Sequence, residues 1–218
     1  MYMQTLLSKR SNPIVANTYT FIHPTKTGGT ACEKYFKEHY SQYITSNCHD
    51  NLCTNTNRPI IIVRDVLDRF VSMYKYWKYG ANDTEYKRPA WFLYKYRNYS
   101  IHDFIVLLQK KKVKDLHQAF TYFVHFKPVM HWINRADYKN IIVILYDGDL
   151  NTKIHSLLHR LEIPDKNIVL PRLNTSNSGN TSILLSPSDI QFIREYFKED
   201  CELVDTIKKN PELFKMVI

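Results

Sequence analysis

The strongest constraint on the fold is a continuous run of β-branched residues, Ile60 to Val63, followed at once by a segment with helical periodicity. A run without polar alternation is typical of a strand buried on both faces of a parallel sheet. Ile141 to Leu145 repeats the pattern, and a shorter candidate spans Tyr19 to His23. Because a helical pattern follows each strand, the sequence predicts an α/β fold with a central parallel sheet flanked by helices.

Amphipathic helices are predicted after each of these strands and near the C-terminus. The apolar stripes are Cys32, Tyr35, Phe36 and His39 in the first helix, Leu67, Phe70, Val71, Tyr74 and Trp77 in the second, and Ile154, Leu157, Leu158 and Leu161 in the third. Ser186, Pro187 and Asp189 have the order of an N-cap, a first-turn proline and a first-turn acid. They therefore predict the start of a further helix.

Length and apolar content are those of a globular protein. At 218 residues we expect one domain, residues 1–218, with 1–17 as a flexible N-terminal extension.

No run reaches the roughly 18 apolar residues of a membrane span, and residues 1–17 do not resemble a secretion signal. Four cysteines are too few for a disulfide scaffold. We expect a cytoplasmic protein, or one of the Golgi lumen if a leader precedes this sequence; no pattern specifies an oligomeric state.

The chain is basic, with 30 Lys and Arg residues against 21 Asp and Glu and a net charge of +9. A surplus of positive charge favours an anionic partner. On charge alone, nucleic acid, an acidic glycan, a phosphate-bearing cofactor and an anionic membrane surface stay open.

The loop after the first strand has the composition of a phosphate-binding turn. Residues 24–30 (PTKTGGT) join a predicted strand to a predicted helix, and the two glycines let consecutive N–H groups point at one anion. Lys26 adds a full charge, and the dipole of the following helix adds a partial one. In the loop of nucleoside triphosphatases the lysine follows the last glycine, whereas here it precedes both. The alternative is a Gly-Gly turn with an incidental lysine.

Arg64 and Ser72 predict a second phosphate contact. Arg64 follows the buried run directly and so lies at the carboxyl end of a strand, where ligands of open α/β sheets bind. Ser72 comes eight residues later, about two helical turns. A bidentate arginine and a hydroxyl suit a phosphate group. The alternative pairs Arg64 with Asp65 or Asp68 and leaves Ser72 as an ordinary helix residue.

These two segments resemble motifs of the sulfotransferases that use 3′-phosphoadenosine 5′-phosphosulfate (PAPS), most closely the carbohydrate branch. Residues 21–30 (FIHPTKTGGT) resemble the family's 5′-phosphosulfate loop, and residues 63–74 (VRDVLDRFVSMY) are similar to its 3′-phosphate motif. Weaker similarities occur at 125–133, 146–150 and 173–176. The loop proline is one residue early and Val66 replaces a proline, but neither change removes a cofactor contact.

The resemblance implies a P-loop-like nucleotide-binding fold, PAPS as cofactor with PAP as its product, and no metal. The implied cofactor-binding residues are Lys26, Thr27, Gly28, Gly29, Thr30, Ala31, Arg64 and Ser72. Lys26 would also be catalytic, stabilising the leaving phosphate oxygen. The backbone of residues 27–30 would hold the 5′-phosphate, and Arg64 with Ser72 the 3′-phosphate. The implied acceptor is a hydroxyl, which we expect on an acidic or neutral glycan.

His49 is the predicted general base. The family's base is a His or Glu near the sulfate, and His49 follows a short strand candidate at 43–45. A histidine has its pKa near working pH. The alternatives are an exposed loop histidine, and His23 as the base, although His23 is better placed to orient the loop. A zinc site at Cys48, His49 and Cys53 lacks a fourth ligand, so we expect none.

Residues 79–130 depart from the alternation of strands and helices. They are dense in Tyr, Trp, Lys and Arg, and we expect an insertion that binds the acceptor, since rings beside cations can stack on sugars and bind acidic groups. The same composition could stack single-stranded bases or supply core and a solvated face. A nucleotide kinase or NTPase with a degenerate loop, or a basic nucleic-acid-binding protein, therefore stays open. Neither explains two phosphate motifs at successive strand ends, so we do not expect nucleic acid as the partner.

Overall fold

The fold is a five-stranded parallel sheet between two layers of helices. The computed structural model describes residues 19–47, 58–79, 98–110, 127–133, 135–173 and 182–218. The strands are β1 (Tyr19–Ile22), β2 (Ile44–Asn47), β3 (Pro59–Arg64), β4 (Ile142–Tyr146) and β5 (Met216–Val217). The helices are α1 (Gly29–His39), α2 (Val66–Tyr79), α3 (Ile101–Gln109), α4 (Leu150–Arg160), α5 (Pro187–Tyr196) and α6 (Lys198–Lys209). The predicted α/β class is confirmed.

The strand order places a change of direction between β1 and β3. The order is β2-β1-β3-β4-β5, and every neighbouring pair is parallel. From β1 the chain moves outward to β2 and then returns across β1 to form β3. Where the order of an open parallel sheet reverses in this way, a crevice forms at the carboxyl ends of the two strands, and ligands bind there. The loop after β1 and Arg64 at the end of β3 both lie at this edge.

The buried run in β3 divides its side chains between the two helical layers. Every residue from Ile60 to Val63 is at most 1% exposed. Ile60 and Ile62 face the layer of α1 and α4. Ile61 and Val63 face the layer that contains α6 and Trp132. Because both faces of the strand are covered, every position from Ile60 to Val63 is apolar, which explains why the sequence shows no alternation there.

A third cluster joins α2, α3 and α5 beside the sheet. α3 lies inside the segment predicted to bind the acceptor and begins with a capping box of Ser100 and Asp103. α5 begins as predicted, with Ser186 as N-cap and Asp189 completing a second capping box. Most of residues 79–130 and all of 1–17 lie outside the described residues, so an acceptor-binding insertion and a flexible extension stay predictions.

α2 buries a stripe that differs in part from the prediction. Phe70 and Tyr74 are buried as expected, but the stripe is completed by Val66 and Met73. The predicted Leu67 and Val71 are only partly buried, because α2 turns its other side towards the loop after β1. None of the helices in the described part of the chain has both the length and the apolar composition that crossing a membrane requires.

Candidate functional site

The loop after β1 is held in place by side chains that bind its backbone. The carbonyls of residues 24–26 each accept a hydrogen bond from a side chain. Thr27 Oγ1 donates to the first at 2.7 Å, Arg69 Nε to the second at 3.0 Å and Arg64 Nη1 to the third at 3.4 Å. Since the C=O and N–H of a trans peptide point in opposite directions, these three bonds fix the peptide planes of the loop.

His23 packs the end of β1 against the start of α1. Its side chain is 2% exposed, and its Nε2 lies 3.0 Å from Glu33 Oε2. A Cβ at Gly29 would collide with the His23 ring, so only glycine lets α1 begin this close to the strand. The second glycine of the loop is therefore required for packing, and His23 orients the loop.

α1 begins without a side-chain cap. Its N-cap is Gly28, in a left-handed conformation with φ of 86°, and its first turn contains no acidic residue. Among the described helices, α2 to α5 each have a side-chain cap, and α6 has acidic residues in its first turn. The first N–H groups of a helix have no acceptor within the helix. The turn formed by Gly29, Thr30 and Ala31 therefore presents donors at the positive end of the dipole.

Lys26 lies in the loop beside α2. Its backbone is left-handed, with φ of 64°, a conformation that costs a residue other than glycine about 1–2 kcal/mol. Its Nζ is 4.1 Å from the centroid of the Tyr76 ring, and its side chain is half-buried. The backbone bonds of the loop impose this conformation, and it places the ammonium group against one side of α2.

Arg64 lies at the end of β3 next to the loop. Its Cζ is 5.0 Å from the centroid of the Tyr146 ring in β4. Within the described residues, no carboxylate lies within ion-pair distance of Arg64. Asp65 instead caps α2, where its Oδ1 accepts from the backbone N–H groups of Leu67 and Asp68 at 2.9 and 3.1 Å. The alternative that paired Arg64 with Asp65 or Asp68 is therefore wrong.

Ser72 lies on the side of α2 that faces the loop. It follows Arg69 by three residues and precedes Tyr76 by four, and residues at these spacings share one face of a helix. Arg69 binds the carbonyl of Thr25 and Tyr76 contacts Lys26. Ser72 is half-buried between them. The structure thus brings Lys26, Arg64 and Ser72 to the same end of the sheet.

Arg69 is a buried residue that anchors the loop after β1, a role that the sequence did not reveal. Its side chain is 4% exposed, and its Nη1 lies 3.1 Å from Asp200 Oδ2 in α6 while its Nη2 donates to the Lys127 carbonyl at 2.8 Å. Asp200 Oδ1 also accepts from the Met130 N–H at 3.2 Å. Burial raises the pKa of the Asp200 carboxyl, and the guanidinium only partly offsets this effect. With each of its three nitrogens bonded to protein, Arg69 is a structural residue.

His49, the predicted base, lies outside the described residues, as do Cys48 and Cys53. β2 ends at Asn47, whose register partner in β1 is Ile22. The carboxyl end of β2 therefore lies at the same edge as the loop, two residues before His49 in the chain. The role of His49 stays a prediction.

The described candidate residues occupy one edge of the sheet, around the carboxyl ends of β1 and β3. Comparisons of the chain with protein families, with characterised proteins and with solved structures give no match. The chemistry of the site follows from its donors, which are two cations, the uncapped end of α1 and a serine hydroxyl. This set suits a ligand that carries two separate anionic groups.

Proposed function

We propose that the protein is a sulfotransferase, with a P-loop-like fold over residues 1–218, that transfers a sulfuryl group from PAPS to a hydroxyl group, with a glycan as the acceptor. The observation that carries the proposal is the meeting of residues 24–30 with Arg64 and the Ser72 side of α2 at the edge between β1 and β3. The resemblance of both segments to sulfotransferase motifs supports it.

The donors of the site fit the two ends of PAPS. The cofactor carries a phosphosulfate on its 5′ oxygen and a phosphate on its 3′ oxygen. The uncapped start of α1, with the backbone of residues 27–31, offers N–H groups for the 5′-phosphate. Arg64, which has no carboxylate partner among the described residues, offers planar N–H donors for the 3′-phosphate, and Ser72 offers a hydroxyl.

The chain supplies charge and proton transfer to this reaction. PAPS supplies an activated sulfuryl group, whose bond to the 5′-phosphate oxygen breaks as the acceptor oxygen bonds to sulfur, and PAP leaves. The Lys26 ammonium group and the dipole of α1 stabilise the negative charge that develops on the leaving oxygen. The hydroxyl proton passes to a base, for which His49 is the predicted residue. Positioning should contribute further, since side chains hold three successive carbonyls of the loop.

The first test is a thermal shift with PAP and with ADP, each with and without Mg²⁺. A ligand at 100 times its dissociation constant stabilises a protein by about 2.7 kcal/mol. At about 2–4 °C per kcal/mol for a chain of this size, PAP should raise the melting temperature by about 5–10 °C without metal. A shift with ADP and Mg²⁺ alone would contradict the proposal and indicate a nucleotide kinase. A shift with neither nucleotide would also contradict it.

The second test follows transfer of radiolabelled sulfate from PAPS to a panel of neutral and acidic glycans. Loss of one preorganised charge-stabilising group costs about 10²–10³ in turnover, and we expect that loss in Lys26→Ala. Lys37→Ala, at an exposed position of α1, is the matched control and should transfer at the unmodified rate. Equal activity of the two variants would exclude Lys26 from the reaction.

A further inference from the structure

Arg64 and Tyr146 are paired across two neighbouring strands. They are register partners in the parallel pair of β3 and β4, and paired residues of parallel strands project to the same face of the sheet. The Arg64 Cζ lies 5.0 Å from the centroid of the Tyr146 ring. The guanidinium therefore lies against the ring at the carboxyl edge of the sheet.

The position of the Tyr146 ring is fixed from the other side. Tyr146 packs against the cluster that α1 and α4 form with the sheet. Its Cε1 lies 3.9 Å from the place where a Cβ at Gly28 would stand. The ring thus fills the space between Arg64 and the N-cap of α1, the two places that the proposed function assigns to the two anionic groups of PAPS.

The acidic residues that follow Tyr146 have other partners. Asp147 lies 3.2 Å from Lys153 Nζ. Asp149 caps α4, where it accepts from the N–H and Oγ1 of Thr152 at 3.0 and 2.6 Å. The Tyr146 ring and the Lys26 carbonyl, and no described carboxylate, therefore hold the Arg64 side chain.

This arrangement suits anion binding because of the shape of the guanidinium group. A guanidinium that is held over an aromatic ring by a cation–π contact does not use its N–H donors for that contact, so they can still bind a phosphate in the bidentate manner. A carboxylate partner would occupy those same donors. A ring that restrains the flexible side chain before binding also reduces the ordering that the ligand would otherwise have to impose.

We infer that Tyr146 is a positioning residue that sets Arg64 for the 3′-phosphate and so makes the site prefer nucleotides that carry one. The inference rests on the proposed function and adds to it the residue that determines nucleotide selectivity. It assigns Tyr146 no contact with the cofactor.

The test compares the dissociation constants of PAP and 5′-AMP, measured by calorimetry, in two variants of Tyr146. Tyr146→Leu keeps an apolar side chain but removes the ring, and it should weaken PAP binding by about 3- to 10-fold with 5′-AMP binding unchanged. Tyr146→Phe keeps the ring and should bind both nucleotides as the unmodified protein does. Equal weakening of both nucleotides, or of neither, in Tyr146→Leu would overturn the inference. Unchanged 5′-AMP binding also shows that the variant is folded.

A double-mutant cycle with Arg64→Lys tests whether Tyr146 acts through Arg64. Lysine lacks the planar donors that the contact with the ring would position, so Tyr146→Leu should have little further effect on PAP binding in that background. Fully additive losses would contradict the positioning role. The experiments distinguish failure of the proposed function from failure of the inference about Tyr146. If the unmodified protein binds no PAP, both are wrong. If Tyr146→Leu keeps the preference for PAP, only the inference about Tyr146 is wrong.

Discussion

Two arginines five residues apart donate to neighbouring carbonyls of the loop after β1, but their surroundings differ. Arg69 is 4% exposed and bonds to the Thr25 carbonyl, the Lys127 carbonyl and the Asp200 carboxylate. Arg64 is half-buried, donates a long hydrogen bond to the Lys26 carbonyl and lies over the ring of Tyr146. The first arginine is satisfied by protein, whereas the second retains donors that the described protein does not use.

Arg69 supports the loop, whereas we propose that Arg64 recognises an anionic group of the ligand. A buried guanidinium is tolerated only when it is paired. Arg69 is buried, and each of its three nitrogens is bonded to protein, so it stabilises the fold. An arginine at the carboxyl edge of a parallel sheet, without a carboxylate beside it, is placed for an anion. We therefore propose different tasks for the two arginines, and substitutions can distinguish them.

The largest expected effect is on the stability of an Arg69→Met variant. The substitution leaves the Asp200 carboxylate buried without its partner, and breaking a buried ion pair from one side costs about 3–5 kcal/mol. Arg64→Met should cost less than about 1 kcal/mol, the value of an exposed cation–π contact. Urea unfolding of both variants measures the difference. Adding Asp200→Asn to Arg69→Met should recover part of the lost free energy of unfolding. Equal losses in Arg69→Met and Arg64→Met would contradict the difference that we assign to the two arginines.

The next-largest expected effect is on ligand binding, and it follows from substitution of Arg64. Charge-assisted hydrogen bonds contribute about 1.5–3 kcal/mol, so Arg64→Met should weaken PAP binding by about 10- to 100-fold. Calorimetry with PAP measures this loss, and Arg194→Met, at an exposed position of α5, should bind PAP normally. If Arg64→Met binds PAP as tightly as the unmodified protein, the 3′-phosphate is held elsewhere.

The parts of the fold that could be predicted from the sequence are those with a local cause. Burial on both faces makes β3 and β4 continuous apolar runs, and their observed bounds differ from the predicted ones by a single residue at each end. The start of α5 was predictable for a similar reason, because a capping box lies within four consecutive residues, 186–189.

The contacts that could not be predicted join distant parts of the chain. Arg69 and Asp200 are 131 residues apart, and no periodicity relates them. The contact between Arg64 and Tyr146 depends on the register of β3 against β4, which a run of apolar residues does not specify. β5 has only two residues, too few for a pattern, and pairs at the edge through backbone bonds such as Ile218 N–H to the Val143 carbonyl. The position of Lys26, Arg64 and Ser72 at one edge of the sheet could thus be predicted from the sequence, whereas the contacts that hold the loop and Arg64 in place could not.

A second contrast concerns two helix starts, because α5 is capped by its own side chains and α1 is not. Asp189 Oδ2 accepts from the Ser186 N–H and Oγ at 3.1 and 2.7 Å, and its Oδ1 lies 2.8 Å from His102 Nδ1. α1 has Gly28 in the capping position and no acid in its first turn. The start of α5 is closed by protein, and that of α1 presents its donors outward.

The Asp189 cap should make stability depend on pH. Burial opposes ionisation of Asp189, but hydrogen bonds from His102 and Ser186 outweigh it and hold its pKa below the ordinary value. The ionised cap therefore stabilises the fold above the ordinary carboxyl pKa of about 4, and this contribution is lost as the pH falls through the lowered pKa. Asp189→Asn should cost about 1 kcal/mol at neutral pH and progressively less in acid.

Urea unfolding of Asp189→Asn from neutral pH down to about pH 3 tests this sign. Asp205→Asn is the control, since Asp205 forms an exposed pair with Lys209 at 3.7 Å, a contact that contributes little. A difference between Asp189→Asn and the unmodified protein that stays constant or grows in acid would contradict the assigned cause.

The smallest expected effect on stability is a gain, produced by giving α1 the acid that it lacks. Thr30 is exposed in the first turn of α1, and Thr30→Asp should raise the free energy of unfolding by about 0.3–1 kcal/mol through the helix dipole. The same carboxylate would repel the 5′-phosphate, so PAP binding should fall by about tenfold or more. Thr30→Asn adds no charge and should change neither quantity by much. A Thr30→Asp variant that is more stable and still binds PAP normally would show that the uncapped start of α1 does not hold the phosphate. Greater stability with lost binding would show that the open end of α1 is maintained for its ligand at the expense of the fold.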